Sequence, residues 1–266
     1  MTTAPISHST EPSHTLLETA GDTRTEVLFQ GSGQPLVLLH GLQSNARIWD
    51  KVCEHLPGTR SIRMNFLGRG ASSSWRQAPP AIDQFYSMGN YVLQLHGLLA
   101  HLGQPVSLAG WSMGAMVALE YVKQHGTAQL ASLALCSGLS KVQGVANVFH
   151  ASDDNGLLEE IASRAAKAKL DGIAQPQTVL HSWKSMQLFD CSDILSRLDV
   201  PTIVVHGVED QECPYQDAQY AAGRIPGARL VSLEGAGHLT LLERPEAVAQ
   251  AIAQNMPTSH QPRRPQ

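Results

Sequence analysis

Short apolar runs rich in valine, isoleucine and leucine recur along the chain, and most of the segments between them have helical periodicity. Runs of this length and composition are typical of strands buried on both faces of a sheet. They begin at Leu36, Ile62, Val106, Ala131, Thr202 and Arg229. The longest helical stretch runs from Ile82 to Leu102. This alternation predicts a mostly parallel sheet with helices on both faces.

Two further segments precede these runs and have a different pattern. Residues 14–20 and 23–30 flank Gly21 and Asp22, a pair that favours a tight turn between antiparallel strands. We therefore expect a hairpin at one edge of the sheet, which brings the number of strands to eight.

One connection between strands is much longer than the others. The runs that begin at residues 131 and 202 start 71 positions apart, whereas a crossover with one helix needs only about 25 to 30 residues. The surplus predicts an inserted helical lid over residues 139–189. This lid divides the core into two parts, residues 14–138 and 190–256.

Composition and charge narrow the classes of function. The chain has 266 residues, of which 42% are hydrophobic, and this is enough for one large domain. The net charge of -4 and the scattered lysines and arginines give no basic surface for nucleic acid. No apolar run reaches the roughly 18 residues that a membrane helix needs. Residues 1–13 and 257–266 are predicted to be disordered tails, and the first lacks a signal-peptide pattern, so we expect a cytoplasmic protein.

The spacing of cysteines and histidines gives no sign of a metal site. The cysteines form no C-x-x-C pair, which favours buried free thiols; they are Cys53, Cys136, Cys191 and Cys213. No H-E-x-x-H motif occurs, and His96 and His101 are five positions apart, an awkward spacing for one helical face. We therefore expect neither a metal nor a cofactor.

The strongest chemical motif is Gly-Trp-Ser-Met-Gly at residues 110–114, directly after a predicted strand and before a predicted helix. A sharp turn there projects the Ser112 hydroxyl from the edge of the sheet, and the flanking glycines leave room for the strand and the helix. The helix that begins at Met113 points its positive end at the same place. Ser112 is the candidate nucleophile.

Two later loops carry candidates for an acid and a base. Glu209 and Asp210 follow the run at residue 202, at the end of a parallel sheet where ligand sites lie. A carboxylate there can accept a hydrogen bond from a histidine and stabilise the imidazolium. His238 lies in the glycine-flanked loop after the next strand, from which it can reach a serine hydroxyl.

Taken in order, these motifs make the chain resemble the α/β-hydrolase superfamily from about Thr15 to Met256. PLVLLHGLQSNARIW, residues 35–49, is similar to the family's oxyanion loop and following helix. NFLGRGASS, residues 65–73, is similar to its D-x-x-G-x-G-x-S turn, with Asn65 in place of the usual aspartate. The resemblance implies the α/β-hydrolase fold, and the substitution puts local hydrogen bonding in question more than catalysis.

The resemblance also implies roles for individual residues. Asp210 fits the family's G-x-x-D-x-x-x-P pattern, so it is preferred to Glu209 as the acid that orients His238. The amides of Leu42 and Met113 are the expected oxyanion donors. His40, beside them, is expected to be a structural residue.

The implied activity is that of a serine hydrolase without a cofactor. The chain is similar to carboxylesterases, enol-lactonases and methyl esterases of carrier-bound acyl groups, which implies a small-molecule or acyl-carrier substrate. Trp111, Trp183 and Met186 are the predicted substrate-binding residues, although Trp183 and Met186 fit simple core packing equally well. Two alternatives stay open, because fold and triad do not separate them from ester hydrolysis: cleavage of a carbon–carbon bond in a diketone, and a ligand sensor with slow turnover.

Overall fold

The computed structural model describes residues 13–20, 23–75, 81–168 and 172–257. Within these residues eight strands form one sheet. The strands are β1 (Ser13–Ala20), β2 (Thr23–Gln30), β3 (Gln34–Leu39), β4 (Thr59–Met64), β5 (Val106–Trp111), β6 (Leu130–Cys136), β7 (Thr202–Gly207) and β8 (Arg229–Leu233). Their order across the sheet is β1-β2-β4-β3-β5-β6-β7-β8.

Most neighbouring strands in this sheet are parallel. The exceptions are β1 with β2 and β2 with β4, which pair antiparallel. The expected edge hairpin and the mostly parallel sheet are therefore confirmed. The predicted turn residues, Gly21 and Asp22, lie outside the described residues.

Helices cover both faces of the sheet. In the described residues they are α1 (Asp50–Glu54), α2 (Ile82–Phe85), α3 (Met88–Leu102), α4 (Met113–His125), α5 (Asp154–Ala168), α6 (Pro176–Met186), α7 (Tyr215–Arg224), α8 (Thr240–Glu243) and α9 (Pro245–Asn255), with 3-10 turns at Ala46–Trp49 and Ser192–Arg197. Side chains of α3, α4 and α7 join one apolar layer, and those of α1, α8 and α9 join the other.

Side chains of the central strands alternate between the two apolar layers. In β5, Val106 and Leu108 belong to the first layer, whereas Ala109 and Trp111 belong to the second. Successive side chains of a strand point to opposite faces, so a strand between two layers of helices needs apolar side chains on both faces. This is the physical reason why continuous apolar runs in the sequence became the central strands.

The periodic stretch from Ile82 to Leu102 forms two helices. The first ends at Phe85 and the second begins at Met88, because the Ser87 hydroxyl caps the second by accepting a hydrogen bond from the Asn90 amide at 3.2 Å. A serine that satisfies a free amide in this way favours a new helix start.

The long connection between β6 and β7 contains α5 and α6, which pack against each other. The two ends of this connection are joined by a hydrogen bond in which the Cys191 amide donates to the Ser140 carbonyl at 2.8 Å. Gln43, in the loop after β3, donates from its side chain to the Ile161 carbonyl of α5 at 3.0 Å. Residues 139–189 therefore contact the end of the sheet where β3 stops.

The predicted tails fall almost entirely outside the described residues. The exceptions are Ser13, which begins β1, and Pro257, which follows α9. Among the helices of the described residues, none has the length and apolar character needed to span a bilayer.

Candidate active site

Ser112 occupies the sharp turn between β5 and α4. Its φ is 55° and its ψ is -121°, a conformation that residues other than glycine adopt rarely and at an energetic cost. The neighbouring glycines are required because there is no room for a side chain at either position. A Cβ added to Gly110 would lie 2.3 Å from the Gly114 carbonyl carbon, and one added to Gly114 would lie 2.4 Å from the Leu39 oxygen. The turn therefore fixes Ser112 at the carboxyl end of the sheet.

His238 lies between Ser112 and Asp210, in the loop from β8 to α8. Its Nε2 is 3.0 Å from Ser112 Oγ, and its Nδ1 is 2.8 Å from Asp210 Oδ2. A carboxylate only accepts, so the neutral ring carries its proton on Nδ1 and leaves Nε2 free to accept the serine proton. The Trp111 indole donates to the His238 carbonyl at 3.0 Å and so anchors this loop.

Asp210 is buried and held in its ionised form by hydrogen bonds. Burial alone raises the pKa of this carboxyl, but hydrogen bonds from His206 and His238 outweigh burial and hold the pKa well below its usual range. The amides of Glu212 and Cys213 also donate to Oδ1, each at 2.9 Å. A fixed negative charge therefore faces the imidazole.

The surroundings of His238 favour its protonated form. Burial lowers the pKa of the ring, but Cys213, the hydrogen bond to Asp210 and the Glu212 carboxylate raise that pKa well above the ordinary histidine value. The same surroundings would stabilise an imidazolium formed when a serine proton is transferred.

Glu209, the other candidate acid, lies on the outside of the same loop. Its side chain is exposed, while Asp210 is 5% exposed. Its amide donates to the Ala236 carbonyl at 3.0 Å, which joins the two loops through their backbones. The geometry brings Asp210, and not Glu209, to the histidine.

The loop after β3 lies directly against Ser112. A Cβ added to Gly41 would lie 3.3 Å from the Ser112 Cβ and 2.6 Å from the Trp111 ring. Within the described residues, the Leu42 and Met113 amides take part in no turn or loop hydrogen bond with another backbone group. Met113 is the first residue of α4, so its amide has no partner inside the helix. Two backbone donors are thus available beside the serine.

His40 is a structural residue in this loop. The Phe66 amide donates to its Nε2 at 3.1 Å, and its Nδ1 donates to the Gly41 carbonyl at 2.8 Å. Burial, followed by the positive charge of Arg69, lowers the pKa of His40 to about 3. The ring is therefore neutral at physiological pH and fixes the start of the loop.

Asn65 replaces an aspartate without loss of hydrogen bonding. Its Oδ1 accepts from the Ala46 amide at 2.7 Å, and its Nδ2 donates to Glu26 Oε2 at 2.7 Å. The Ala71 amide donates to the same carboxylate oxygen at 2.7 Å. Glu26 supplies the negative charge in this turn, and the amide of Asn65 is the side chain that can donate to it.

A cavity opens beside Ser112, and its lining combines apolar and polar side chains. The apolar ones include Met116, Val148 and Met186. The rest of the lining is formed by Leu42, Gln43, Ser44, Trp111, Arg164, Glu212 and Cys213. A mostly apolar lining with a few polar groups is typical of sites for small molecules.

The predicted substrate-binding residues occupy different places. Trp111 and Met186 line the cavity. Trp183 is 3% exposed and packs edge-on against Phe149, with ring centroids 5.3 Å apart, and it is not part of the lining. Its position favours a role in packing α6.

An ion pair above the histidine was missed by the sequence analysis. Arg164 of α5 donates from Nε and Nη2 to the Glu212 carboxylate at 3.1 and 2.5 Å, and its Nη1 donates to Gln43 Oε1. Glu212 Oε2 lies 3.4 Å from His238 Nε2. In the sequence, the position of Glu212 two residues after Asp210 is a usable sign that it lies near the histidine. Arg164 is 48 positions from Glu212, so the sequence gives no sign that the two side chains pair.

Asp210, Cys213 and His238 are the described residues whose donor atoms lie near enough to one another, within 4.8 Å, to be considered as metal ligands. The 2.8 Å contact between His238 and Asp210 is a hydrogen bond along the imidazole N–H direction. A metal would have to displace that proton, so we assign no metal to this group.

Comparison with known proteins gives a family match and several relatives. The sequence model described as "Alpha/beta hydrolase family" matches residues 36–251. The chain is 23% identical over 245 residues to a pimeloyl-[acyl-carrier protein] methyl ester esterase of Neisseria meningitidis, covering 80% of this chain and 88% of that protein. It is 28% identical over 243 residues to a non-heme chloroperoxidase of Kitasatospora aureofaciens, covering 78% and 86%.

Solved structures show the same fold. An esterase from Exiguobacterium antarcticum superposes with a TM-score of 0.76 at 24% identity, covering 91% of this chain and 98% of that one. A bromoperoxidase from Bacillus anthracis superposes with a TM-score of 0.74 at 19% identity, covering 91% and 99%. The architecture predicted from the sequence is therefore shared with these proteins.

Proposed function

The chain belongs to the alpha/beta hydrolase family, and from this premise we propose that it is a serine hydrolase that cleaves a carboxylic ester, lactone or thioester through an acyl-enzyme. The observation that carries the proposal is the continuous line of hydrogen bonds from Ser112 through His238 to Asp210. Such a line converts a weakly nucleophilic hydroxyl into one that can attack a carbonyl carbon.

In the proposed first step, His238 Nε2 takes the proton of Ser112 as the serine oxygen bonds to the substrate carbonyl carbon. The carbonyl electron pair moves onto its oxygen, which accepts hydrogen bonds from the Leu42 and Met113 amides. The positive end of α4 favours the same negative charge. Asp210 stabilises the imidazolium until the intermediate collapses.

Collapse of the intermediate restores the carbonyl and breaks the bond to the leaving group. The departing alkoxide or thiolate takes the proton from His238, and the acyl group remains on Ser112. In the second half, His238 takes a proton from water as the water oxygen bonds to the acyl carbon. Ser112 then leaves with that proton, and a carboxylic acid is released.

The substrate we propose is an ester, lactone or thioester with an apolar acyl part. The apolar side chains of Met116, Val148 and Met186, which line the cavity beside Ser112, support this choice. A relative that acts on a pimeloyl-[acyl-carrier protein] methyl ester supports acyl groups on a carrier as one source. In this proposal residues 139–189 act as a helical lid over the chain.

A substrate panel run beside Ser112→Ala tests the proposal. The panel contains methyl and aryl esters of increasing chain length, lactones, thioesters and vinylogous diketones. We expect ester-type substrates to be turned over, Ser112→Ala to lower turnover by on the order of 10⁵, and a fluorophosphonate probe to label Ser112. Preferential cleavage of the diketones would instead assign carbon–carbon bond hydrolysis.

The matched control is Ser137→Ala. Ser137 is also buried and also has a positive φ, of 45°, but its hydroxyl contacts Thr240 at 3.0 Å. This variant should keep its activity and its labelling. A Ser112→Ala preparation that retains a tenth of the wild-type rate, with contamination excluded, would end the assignment of the nucleophile.

A further inference from the structure

Arg69 is a buried cation without a carboxylate partner. It lies between two glycines in the turn after β4 and is 1% exposed. Among the ion pairs formed by the described residues, none includes Arg69. A guanidinium stays charged in proteins, and burying one without a counter-ion is costly. Such a charge calls for a functional reason.

The guanidinium of Arg69 holds the oxyanion loop from behind. Its Nη2 donates to the Leu42 carbonyl at 2.7 Å, and its Nη1 donates to the Leu67 carbonyl at 2.9 Å. Leu42 carries on its other side the amide that the proposed mechanism directs at the oxyanion. The Leu42 amide shares its peptide plane with the Gly41 carbonyl, which accepts from His40 Nδ1 at 2.8 Å and from Ser44 Oγ at 3.3 Å. Arg69 holds the next peptide plane, so the amide is fixed from both sides and has little freedom to turn away.

The same guanidinium is tied to α6. Nη1 also donates to the Tyr91 hydroxyl at 2.6 Å, and Nη2 donates to the Ser182 hydroxyl at 3.1 Å. The hydroxyls of Tyr91 and Ser182 are 2.6 Å apart, so they form one buried group with Arg69. A second link joins the loop to the inserted segment, where the Ala174 amide donates to the Gln43 carbonyl at 3.1 Å.

The charge of Arg69 reaches the residues around the loop. It contributes, after burial, to the lowered pKa of His40, the residue at which the loop begins. A positive charge that opposes protonation of one neighbour favours negative charge on another. Because its counter-ion is absent from the described residues, the field of Arg69 is not cancelled at Leu42.

From these contacts we infer that Arg69 is a positioning residue for the hydrolytic reaction. It holds the Leu42 carbonyl so that the Leu42 amide faces the oxyanion, it places an uncompensated positive charge behind that amide, and it transmits the position of α6 to the loop. The inference rests on the proposed function, since it gives Arg69 a role in stabilising the oxyanion of that reaction.

The test compares Arg69→Met and Arg69→Lys in the full chain with the ester that the wild type hydrolyses best. Arg69→Met should lower kcat by about 10- to 100-fold and change KM by less than about threefold. A trifluoromethyl ketone, which forms an oxyanion with a reactive serine, should lose affinity in parallel with kcat/KM. Arg69→Lys retains the charge but offers one donor nitrogen in place of the two that Arg69 uses, so it should recover part of kcat.

The control is Arg60→Met, which removes another buried arginine. Arg60 is 9% exposed, lies over the Phe29 ring at 5.4 Å, and sits on β4. Its loss should lower the melting temperature without lowering kcat. This comparison separates positioning from the cost of an emptied site in the core.

Three outcomes would overturn the inference. In the first, folded Arg69→Met keeps kcat within threefold of the wild type. In the second, kcat falls but the affinity of the ketone does not. If Arg69→Met does not fold, the double variant Tyr91→Phe, Ser182→Ala replaces it, because it removes the two hydroxyls that hold the guanidinium. The kcat of that double variant should fall several-fold at unchanged KM. The third outcome that would overturn the inference is a double variant with the kcat of the wild type.

Failure of the proposed function is distinguishable from failure of this inference. A wild-type chain that hydrolyses nothing in the panel and is not labelled at Ser112 contradicts the proposed function. An active, labelled wild type with an equally active Arg69→Met contradicts only the role of Arg69.

Discussion

Glu212 Oε2 lies 3.4 Å from His238 Nε2, the same nitrogen that lies 3.0 Å from Ser112 Oγ. The imidazole of the proposed base therefore has a second anion beside it, in addition to Asp210. Arg164 neutralises part of this charge through its bonds to the Glu212 carboxylate. The state of this ion pair should set the pH at which His238 becomes a base.

Loss of Glu212 and loss of Arg164 should shift the pH profile of kcat/KM in opposite directions. The neutral imidazole is the base, so kcat/KM should rise as the pH increases through the pKa of His238. Glu212→Gln removes an anion that raises this pKa and should move the rise to lower pH. Arg164→Gln leaves the anion uncompensated and should move the rise to higher pH.

The measurement is kcat/KM between pH 5 and 9 for both variants. Glu209→Gln serves as the matched control, because Glu209 is an exposed acid on the same loop and should leave the profile unchanged. Shifts of the two variants in the same direction would contradict this account.

Asp210→Asn should lower kcat by about 10³- to 10⁴-fold with little loss of folding. An asparagine amide can donate to His238 Nδ1, which then has no proton. The ring proton moves to Nε2, where it faces Ser112 and prevents that nitrogen from accepting the serine proton. Stopped-assay kinetics and a thermal melt measure the two parts of the prediction, and a variant of near-normal kcat would show that Asp210 does not set the tautomer.

Leu42→Pro and Leu42→Ala should differ sharply in kcat. The proline removes the amide that the mechanism uses, and loss of one such donor costs about 10²- to 10³-fold. The alanine keeps the amide and loses apolar contacts of a buried side chain, so kcat should change by less than about tenfold while stability falls. Equal kcat values for the two folded variants would remove Leu42 from the oxyanion site.

Asn65→Asp should destabilise the protein at neutral pH. The new carboxylate would face Glu26 Oε2, which accepts from Asn65 at 2.7 Å, and would lose that donor. We expect a loss of about 1 to 3 kcal/mol, which corresponds to a lower melting temperature by several degrees in a chain of this size. Adding Glu26→Gln should recover most of the loss, and a double variant no more stable than Asn65→Asp would argue against a clash of the two carboxylates.

Local patterns in the sequence predicted the fold well. The most continuous apolar runs became β3, β5, β6 and β7, because a strand covered by helices on both faces tolerates few polar side chains. β4 also became a strand although Arg60, Ser61 and Arg63 are polar. The break at Ser87 was missed because helical periodicity continues across it, and the hydroxyl that caps α3 is visible only as a contact with Asn90.

The candidate site was predictable as far as each residue has a local signature. Ser112 lies between two glycines, whose necessity the structure explains by the short distances that any added Cβ would meet. His238 and Asp210 each follow a strand, and the ends of parallel strands meet at one edge of a sheet. Glu212 was missed although it lies two positions from Asp210, and Cys213 was predicted only to be a buried free thiol.

The sequence by itself determined the alternation of strands and helices, the strained turn at Ser112 and the order of three reactive side chains. Only the tertiary structure decided that Arg164 of α5 pairs with Glu212 and that Arg69 lies behind Leu42. The physical reason is that periodicity and turn chemistry act over a few residues, whereas these contacts depend on the order of strands in the sheet and on how residues 139–189 pack against it.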